Sequence, residues 1–281
     1  VPEEKLTTIN GLYGSIQALI TLVGPLASGA LMTIAPLEFI FFIDVVTAAI
    51  AIAILTVGLY VPDHEKASAK EKESYFADFK QGLIYIHQQR YLKLFFLFFA
   101  LFLVLAAPVS FLTPLQVTRS FGAEVWRLTA IEVTFSIGMI LGGFLIASWG
   151  GFKNRTHTMA LASFIFGLCT FALGVVPNFW VYLTFMALLG ITMPMFNAPS
   201  TVLLQEKVEN NYLGRVFGVM GMISTSMMPL GMLVFGPLAD IIAVEWMLIG
   251  TGIALFFLSF ILVGNKVLVE AGKPVSKKNH P

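Results

Sequence analysis

Unbroken apolar runs of roughly twenty residues recur along this chain, and they restrict its fold more than any other feature. A helix needs about 20 apolar residues to cross the hydrocarbon core of a bilayer. Only 12% of the residues are charged, against about a quarter in a typical soluble domain. We predict about eight transmembrane helices: Ile9–Ile34, Phe39–Tyr60, Leu92–Leu115, Leu128–Trp149, Thr156–Val176, Trp180–Leu204, Val216–Ile242 and Trp246–Val263.

The apolar runs favour helices over the strands of a membrane β-barrel. Barrel strands alternate apolar and polar residues over about ten positions, whereas the segment Phe95–Ala107 is apolar throughout. Cys169 is the only cysteine and lies inside an apolar run, so a disulfide framework within the chain is excluded. The sequence therefore predicts an all-α membrane protein.

The basic residues predict which connections face the cytoplasm, because short cytoplasmic loops of membrane proteins carry an excess of Lys and Arg. Fifteen of the 17 Lys and Arg residues fall in alternate connections or in the terminal segments. Only Arg119 and Arg127 fall in connections on the other side. We therefore expect a multi-pass protein of the cytoplasmic membrane with both ends of this chain in the cytoplasm.

An internal repeat relates the first two spans to the last two at an offset of 207 residues. The matched pairs are Leu6 with Leu213, Gly11 with Gly218, Gly14 with Gly221, Gly24 with Gly231, Gly29 with Gly236, Leu31 with Leu238 and Glu38 with Glu245. Some secondary transporters consist of such repeated units, with the substrate site between them near the midplane. If the last two spans end a six-helix half, the first two end an earlier half. Four helices before Val1 would then be missing from a twelve-helix protein.

The repeat and the charge pattern divide the chain into four segments. These are residues 1–61, the last two helices of the N-terminal half; 62–91, a cytoplasmic linker with an amphipathic helix; 92–265, the six-helix C-terminal half; and 266–281, a cytoplasmic tail. The apolar residues of the amphipathic helix recur at helical spacing and are Phe76, Phe79, Leu83 and Ile86. We expect this helix to lie on the cytoplasmic membrane surface; the alternative is a helix that binds a partner.

Several short segments together resemble the major facilitator superfamily, and within it the branch of macrolide-efflux and siderophore-export proteins. The segments are Pro2–Thr7, Ile43–Val45, Asp78–Gly82, Phe135–Gly138, Trp149–Lys153 and Leu213–Gly218. The resemblance covers essentially the whole chain. It implies a helical bundle that exports small, bulky apolar molecules, such as macrolide-like drugs or siderophore-like metabolites, by alternating access in exchange for protons.

The first span resembles the antiporter motif of this family. The matching residues are Gly11, Gly24, Pro25, Ser28 and Gly29. The sequence departs from the motif at Ile20, where a glycine is expected, and at Ser28, which replaces another glycine. The resemblance implies proton antiport, and the alternative is simple close packing, since glycines let helices approach and Pro25 bends the helix.

The connection after the fourth span resembles the gating-loop motif of the family. The matching residues are Gly143, Gly150, Lys153 and Arg155. Ala147 occupies the position of the usual aspartate, so the charge contact attributed to that aspartate is in doubt. The alternative is that Lys153 and Arg155 only fix the topology.

Two carboxylates, Asp44 and Glu132, lie inside predicted spans, where an ionisable group is costly and by default functional. We interpret both as candidates for proton coupling. The competing interpretation is a structural ion pair or hydrogen bond, for instance between Glu132 and Arg127.

Three uncharged polar residues in the spans, Gln17, Gln116 and Asn197, are candidates for lining a cavity. Pro194 and Pro199 flank Asn197, and irregular helices often mark transport sites. Hydrogen bonding between helices would explain these residues equally well.

The sequence offers no metal-ligand cluster, nucleophile motif or phosphate-binding glycine loop. We therefore expect no enzyme activity, no cofactor or metal, and no nucleic-acid partner. The expected partners are a small-molecule substrate, protons, the lipid bilayer and the missing N-terminal helices. The alternatives are a channel, a membrane scaffold that transports nothing, or an inactive fragment of a transporter.

Overall fold

The computed structural model describes residues 5–34, 37–58 and 75–274, and all their secondary structure is helical. The helices are α1 (Leu6–Ile34), α2 (Leu37–Gly58), α3 (Tyr75–Gln88), α4 (Arg90–Phe111), α5 (Thr113–Ser120), α6 (Val125–Trp149), α7 (Arg155–Val175), α8 (Phe179–Lys207), α9 (Asn210–Leu238), α10 (Val244–Gly264) and α11 (Lys266–Ala271). Helices satisfy every backbone hydrogen bond within one segment, as a lipid environment demands.

Six helical segments of the described chain are long and apolar enough to cross a membrane. They are α4 together with α5, then α6, α7, α8, α9 and α10. Their ends lie within about six residues of the predicted spans. The other two predicted spans correspond to α1 and α2, in which many side chains lie outside the described residues. The prediction of an all-α membrane protein is confirmed.

Polar residues and glycines set the helix ends. The side chains of Asn154 and Asn178 accept hydrogen bonds from the backbone N–H groups of Thr156 and Trp180, at the first turns of α7 and α8. Gly150 ends α6 with φ +76°, a left-handed conformation that glycine adopts without strain. The sharp connection between α6 and α7 therefore follows from the local sequence.

The six segments from α4 to α10 pack through glycines and an aromatic cluster. A Cβ atom on Gly190 of α8 would lie 2.1 Å from the carbonyl oxygen of Phe135 in α6. A Cβ atom on Gly167 of α7 would lie 2.7 Å from the backbone nitrogen of Phe256 in α10. Small residues allow membrane helices this close contact. The aromatic cluster fills the space between the helices and contains Phe95, Phe99, Phe102, Phe166 and Phe196.

We call the end of the bundle at which α4, α7 and α9 begin the basic end. It carries Arg90, Lys93, Lys153, Arg155, Lys207 and Arg215. Arg119 and Arg127 lie at the opposite end, near the end of α5 and the start of α6. Helix α1 packs against α6 and α8, and α2 follows α1 with mostly exposed side chains between Phe41 and Thr56.

The predicted amphipathic segment forms helix α3, which packs against α9. The rings of Tyr85 and Tyr212 stack with centroids 4.2 Å apart. Gly82, Tyr85 and Ile86 are buried, whereas Leu83, predicted on the apolar face, is 44% exposed. The packed face thus keeps Phe79 and Ile86 of the predicted one and loses Leu83. Gly82 joins the packed face, where a Cβ atom would lie 3.1 Å from Cβ of Arg215. The charged linker, residues 62–74, and the tail after residue 274 lie outside the described residues.

Candidate functional site

The candidate site lies where α1 meets α6 and α8. A Cβ atom on Gly11 would lie 2.7 Å from Cγ2 of Ile146 and 3.1 Å from the carbonyl oxygen of Gly143. The Thr8 hydroxyl donates a hydrogen bond to the carbonyl oxygen of Ala147 (3.0 Å), and the Ser15 hydroxyl donates to that of Ile140 (3.3 Å). Gly11 of the antiporter motif therefore faces Gly143 of the gating-loop motif across this contact.

A cavity of about 250 Å³ lies between these three helices. Its lining residues are Asn10, Tyr13, Gly14, Gln17, Met139, Met193, Pro194, Asn197, Ala198 and Thr201. Two of the three predicted cavity residues, Gln17 and Asn197, are among them. The wall thus combines apolar surface with a few polar groups, which is typical of small-molecule sites.

A second cavity of about 100 Å³ adjoins the first, because Met193 lines both. Its lining residues are Val109, Ser110, Thr113, Glu132, Phe135, Phe166, Met186, Leu189 and Met193. The side chain of Glu132 is exposed, and the described residues offer it no ion pair or hydrogen bond. The Glu132 carboxylate thus lines the smaller cavity, next to the larger one.

Arg127 does not pair with Glu132. Its Nε lies 2.9 Å from a carboxylate oxygen of Glu124, and its guanidinium lies over the rings of Trp126 and Phe179 at 5.1 and 5.4 Å. The structural ion pair considered as an alternative role for Glu132 is therefore absent from the described structure.

Asp44 lies on α2, and its side chain is exposed. It lines neither cavity of the site, so the structure does not bring the two candidate carboxylates together in one pocket.

Gln116 also lies apart from the two cavities. Its Nε2 donates to the carbonyl oxygen of Leu173 (2.9 Å), and its Oε1 accepts from the hydroxyl of Tyr182 (2.9 Å). These bonds join α5 to α7 and α8 inside the core, an arrangement that corresponds to hydrogen bonding between helices.

Helix α8 provides one wall of both cavities and contains Pro194 and Pro199 within one continuous helix, Phe179–Lys207. A proline inside a helix lacks the N–H group and leaves a carbonyl of the preceding turn without its usual partner. Asn197 lies between the two prolines and is exposed toward the larger cavity. The helix predicted to be irregular is continuous here, with both prolines inside it.

The gating-loop residues lie at the basic end. Gly150 and Gly151 both have φ +76°, and Lys153 is exposed. Arg155 forms an ion pair with Glu206 of α8, with Nη2 3.0 Å from Oε1. The two side chains are 15% and 5% exposed. Arg155 therefore joins α7 to α8 in addition to any effect on topology.

Of the antiporter-motif residues, Gly11 is packed against α6, whereas a Cβ atom on Gly24 would meet no heavy atom within 4 Å. The surroundings of Pro25, Ser28 and Gly29 lie outside the described part of the structure.

Sequence reasoning missed three residues that matter here: Asn10, Gln205 and Glu206. Asn10 and Gln205 form a hydrogen bond of 3.0 Å between their side chains. Glu206 lies beside Lys207 at the end of a span, a position typical of a solvated residue. The only available signal was the opposite charge of Arg155 at the start of another span.

Residues 1–232 match the profile of the family described as Major Facilitator Superfamily. The chain belongs to the major facilitator superfamily.

Relatives within the superfamily are bacterial efflux proteins. Macrolide efflux protein A of Streptococcus pyogenes is 28% identical over 252 residues, which cover 89% of this chain and 62% of that protein. The protein of the same name in Enterococcus faecalis is 28% identical over 234 residues, covering 83% and 72%. Multidrug efflux pump Tap of Mycobacterium tuberculosis is 26% identical over 248 residues, covering 84% and 56%.

The resemblance to the macrolide-efflux branch is thus confirmed, and these relatives place the chain in a bacterial plasma membrane. The chain spans 62% of the length of the Streptococcus pyogenes relative.

Proposed function

We propose that this chain forms most of a secondary active exporter of small, bulky apolar molecules, such as macrolide-like drugs or siderophore-like metabolites. The observation that carries the proposal is the cavity between α1, which we assign to the N-terminal half, and α6 and α8 of the C-terminal half. A smaller cavity within the C-terminal half adjoins it at Met193. Repeat-built transporters bind their substrates at such an interface and move them by rocking one unit against the other. Similarity to macrolide and multidrug efflux proteins supports this class of substrate.

Proton antiport is the proposed energy source, and Glu132 is the first candidate for the coupling group. Its carboxylate borders the smaller cavity and has no ion-pair partner among the described residues. A carboxylate so placed can carry a proton in one conformation and release it in another. Asp44, exposed on α2, is the second candidate.

The proposed orientation puts the basic end in the cytoplasm, because Lys and Arg concentrate on that side of membrane proteins. Both ends of this chain are then cytoplasmic. In this proposal the chain contains two predicted spans of the N-terminal half and all six of the C-terminal half. We therefore propose that transport requires further N-terminal helices that complete the first half.

Efflux measured in bacterial cells that lack their own pumps tests this function. Cells that make the full-length protein should accumulate less of a radiolabelled macrolide than control cells, and an uncoupler should abolish the difference. A channel would instead let the label equilibrate with or without the uncoupler. Equal accumulation in both cell types, for a panel of bulky apolar compounds, would contradict the proposal.

The role of Glu132 is tested with Glu132→Gln, which retains shape and loses the titratable proton. The matched control is Glu124→Gln, at the start of the same helix, where the carboxylate is 55% exposed and pairs with Arg127. We expect proton-coupled efflux to fall at least tenfold only in the first variant. An unaltered rate of efflux in Glu132→Gln would exclude Glu132 as the coupling group and leave Asp44 as the candidate.

A further inference from the structure

Another cavity, of about 610 Å³, lies at the basic end between the start of α4 and helix α11. Arg90 and Tyr91 line it from α4, and Lys266, Val267 and Glu270 line it from α11. None of these residues lines the two cavities of the candidate site. This cavity is therefore a separate feature of the molecule, which the proposed export function does not use.

The cavity carries uncompensated positive charge. Arg90 and Lys266 are exposed, and neither forms an ion pair with a residue that the structure describes. Glu270, the acid in the wall, pairs with Lys273 three residues further along the chain. Two like charges around one cavity repel each other, and an anion between them would be attracted by both. The cavity is thus suited to a negatively charged group.

Contacts away from the cavity hold both of its walls in place. The Tyr91 hydroxyl donates a hydrogen bond to the carbonyl oxygen of Lys207 (3.0 Å), which joins the start of α4 to the end of α8. On the other side, the side chain of Asn265 caps α11, and the Thr156 hydroxyl of α7 donates to the carbonyl oxygen of Leu268 (2.7 Å). A ligand would therefore bind between two backbone segments whose positions are already set, and this lowers the entropy cost of binding.

The position of the cavity along the bundle indicates where the anion comes from. Span α4 begins at Arg90, and span α10 ends at Gly264, two residues before Lys266. Both cations thus lie where membrane spans end, at the level of the lipid headgroups. Leu97 and Leu101 lie on the same face of α4 as Arg90, about two and three turns further along, and both are exposed. An acyl chain along this face would bring its headgroup to Arg90.

We propose that this cavity binds the headgroup of an anionic phospholipid from the membrane leaflet at the basic end. The phosphate lies between Arg90 and Lys266, and an acyl chain follows Leu97 and Leu101. Basic pockets between membrane helices on the cytoplasmic side are suited to such headgroups. Arg can bind a phosphate through two parallel N–H groups, and Lys binds it as a point charge. The inference does not depend on the export function, because the substrate cavities lie elsewhere.

Lipid binding to the full-length protein tests the site. The protein in detergent is titrated with dioleoylphosphatidylglycerol, which is anionic, or with dioleoylphosphatidylcholine, which has the same chains and no net charge. Native mass spectrometry counts the bound lipids. The first phosphatidylglycerol should bind about tenfold more tightly than phosphatidylcholine, and Arg90→Gln combined with Lys266→Gln should abolish this preference. A parent protein without the preference, or a double variant that retains it, would overturn the proposal.

The matched control is Lys277→Gln combined with Lys278→Gln, which removes the same charge from the C-terminal segment outside the cavity. This variant should keep the preference of the parent protein. An equal fall in both double variants would mean that net charge alone attracts the lipid, and the proposed site would be wrong.

A variant that should gain affinity separates the site from effects on folding. Glu270→Gln removes the acid from the wall and releases Lys273 from its ion pair. We expect phosphatidylglycerol to bind about threefold more tightly, because one negative charge beside the headgroup is lost. A damaged fold would not produce such a gain, and unchanged or weaker binding would contradict the charge argument.

Inorganic phosphate distinguishes a lipid headgroup from a free anion. The acyl chain contributes apolar contacts that free phosphate lacks, so phosphate in large excess over phosphatidylglycerol should leave the lipid bound. Displacement of the lipid by an equal concentration of phosphate would identify a site for soluble anions and overturn the assignment to a lipid.

Discussion

Helices α1 and α9 carry the same spaced glycines at an offset of 207 residues, and they pack through opposite ends. In α1, Gly11 lies against Ile146 and Gly143, while Gly24 has no neighbour within 4 Å of a Cβ position. In α9, Gly218 has no such neighbour, while a Cβ atom on Gly231 would lie 2.7 Å from Cβ of Ala107 in α4. Equivalent positions thus have reversed environments.

The reversal shows that a glycine pattern permits close packing without specifying where it occurs. The position of the neighbouring helix determines which glycine is packed. Helix α6 contacts α1 at the basic end, at Gly11, whereas α4 contacts α9 nearer the opposite end, at Gly231. In α1 the packed part lies beside the larger cavity, which Asn10, Gly14 and Gln17 line.

The largest effect is expected from Gly231→Val. The added side chain would meet Cβ of Ala107 and the carbonyl oxygen of Val104, at 2.7 and 3.0 Å from the first added atom, and neither can retract. Overpacking of this kind costs about 3 kcal/mol. Unfolding of the purified chain in mixed micelles, titrated with SDS and followed by circular dichroism, measures the loss.

The counterpart Gly24→Val should change the free energy of unfolding by less than about 0.5 kcal/mol, as surface substitutions usually do. Equal losses in both variants would mean that α1 is packed along its whole length, and the reversal would not hold.

The second effect in size is expected from Gly11→Val, with Gly218→Val as its counterpart on α9. A Cβ atom on Gly11 meets the backbone nitrogen of Ala147 and the carbonyl oxygen of Gly143 at 3.0 and 3.1 Å. We expect a loss of about 2 kcal/mol. The loss is smaller than for Gly231→Val because the atom nearest the added Cβ is Cγ2 of Ile146, which can move by a change of rotamer, whereas at Gly231 it is Cβ of Ala107, which is fixed to the backbone.

The measurement is the same SDS titration. An equal loss in Gly218→Val would mean that α9 is packed near its start as α1 is, and the reversal would not hold.

The spans were predictable because apolar length is a local property of the sequence. One span differs: the predicted helix Leu92–Leu115 is α4 followed by α5, since α4 ends at Phe111 and Pro114 suits the first turn of a new helix. Hydropathy does not register such a change of helix within an apolar run.

The pairing of helices was not predictable in the same way. The hydrogen bond between Asn10 and Gln205 joins residues 195 positions apart, and the ion pair of Arg155 and Glu206 joins residues 51 apart. Neither pair leaves a periodic signal in the sequence. Of the predicted cavity residues, Gln17 and Asn197 share a pocket while Gln116 forms bonds in the core, and all three have the same sequence signal, a polar residue in an apolar span.

A smaller effect is expected from Thr8→Val, which removes the hydrogen bond from α1 to the carbonyl oxygen of Ala147 and keeps the side-chain shape. The expected loss is about 1 kcal/mol, the usual net value of a hydrogen bond. Thr225→Val in α9 is the matched control, because the Thr225 hydroxyl bonds only within its own helix, to Gly221 and Met222. We expect the SDS titration to separate the two variants; a larger loss for Thr225→Val would mean that α9 uses its polar face against a neighbour.

The smallest effect is expected from alanine at the two open glycines, Gly24→Ala and Gly218→Ala. A methyl group meets no atom within 4 Å at either position, and alanine favours the helix by up to about 1 kcal/mol over glycine. Both variants of this 281-residue chain should therefore be as stable as the parent or slightly more stable. The same pair measured in the full-length protein sharpens the comparison, since a loss that occurs only for Gly218→Ala would mean that another helix covers α9 where α6 covers α1. The reversal would then belong to this segment, and the two copies of the repeat would pack alike in the complete protein.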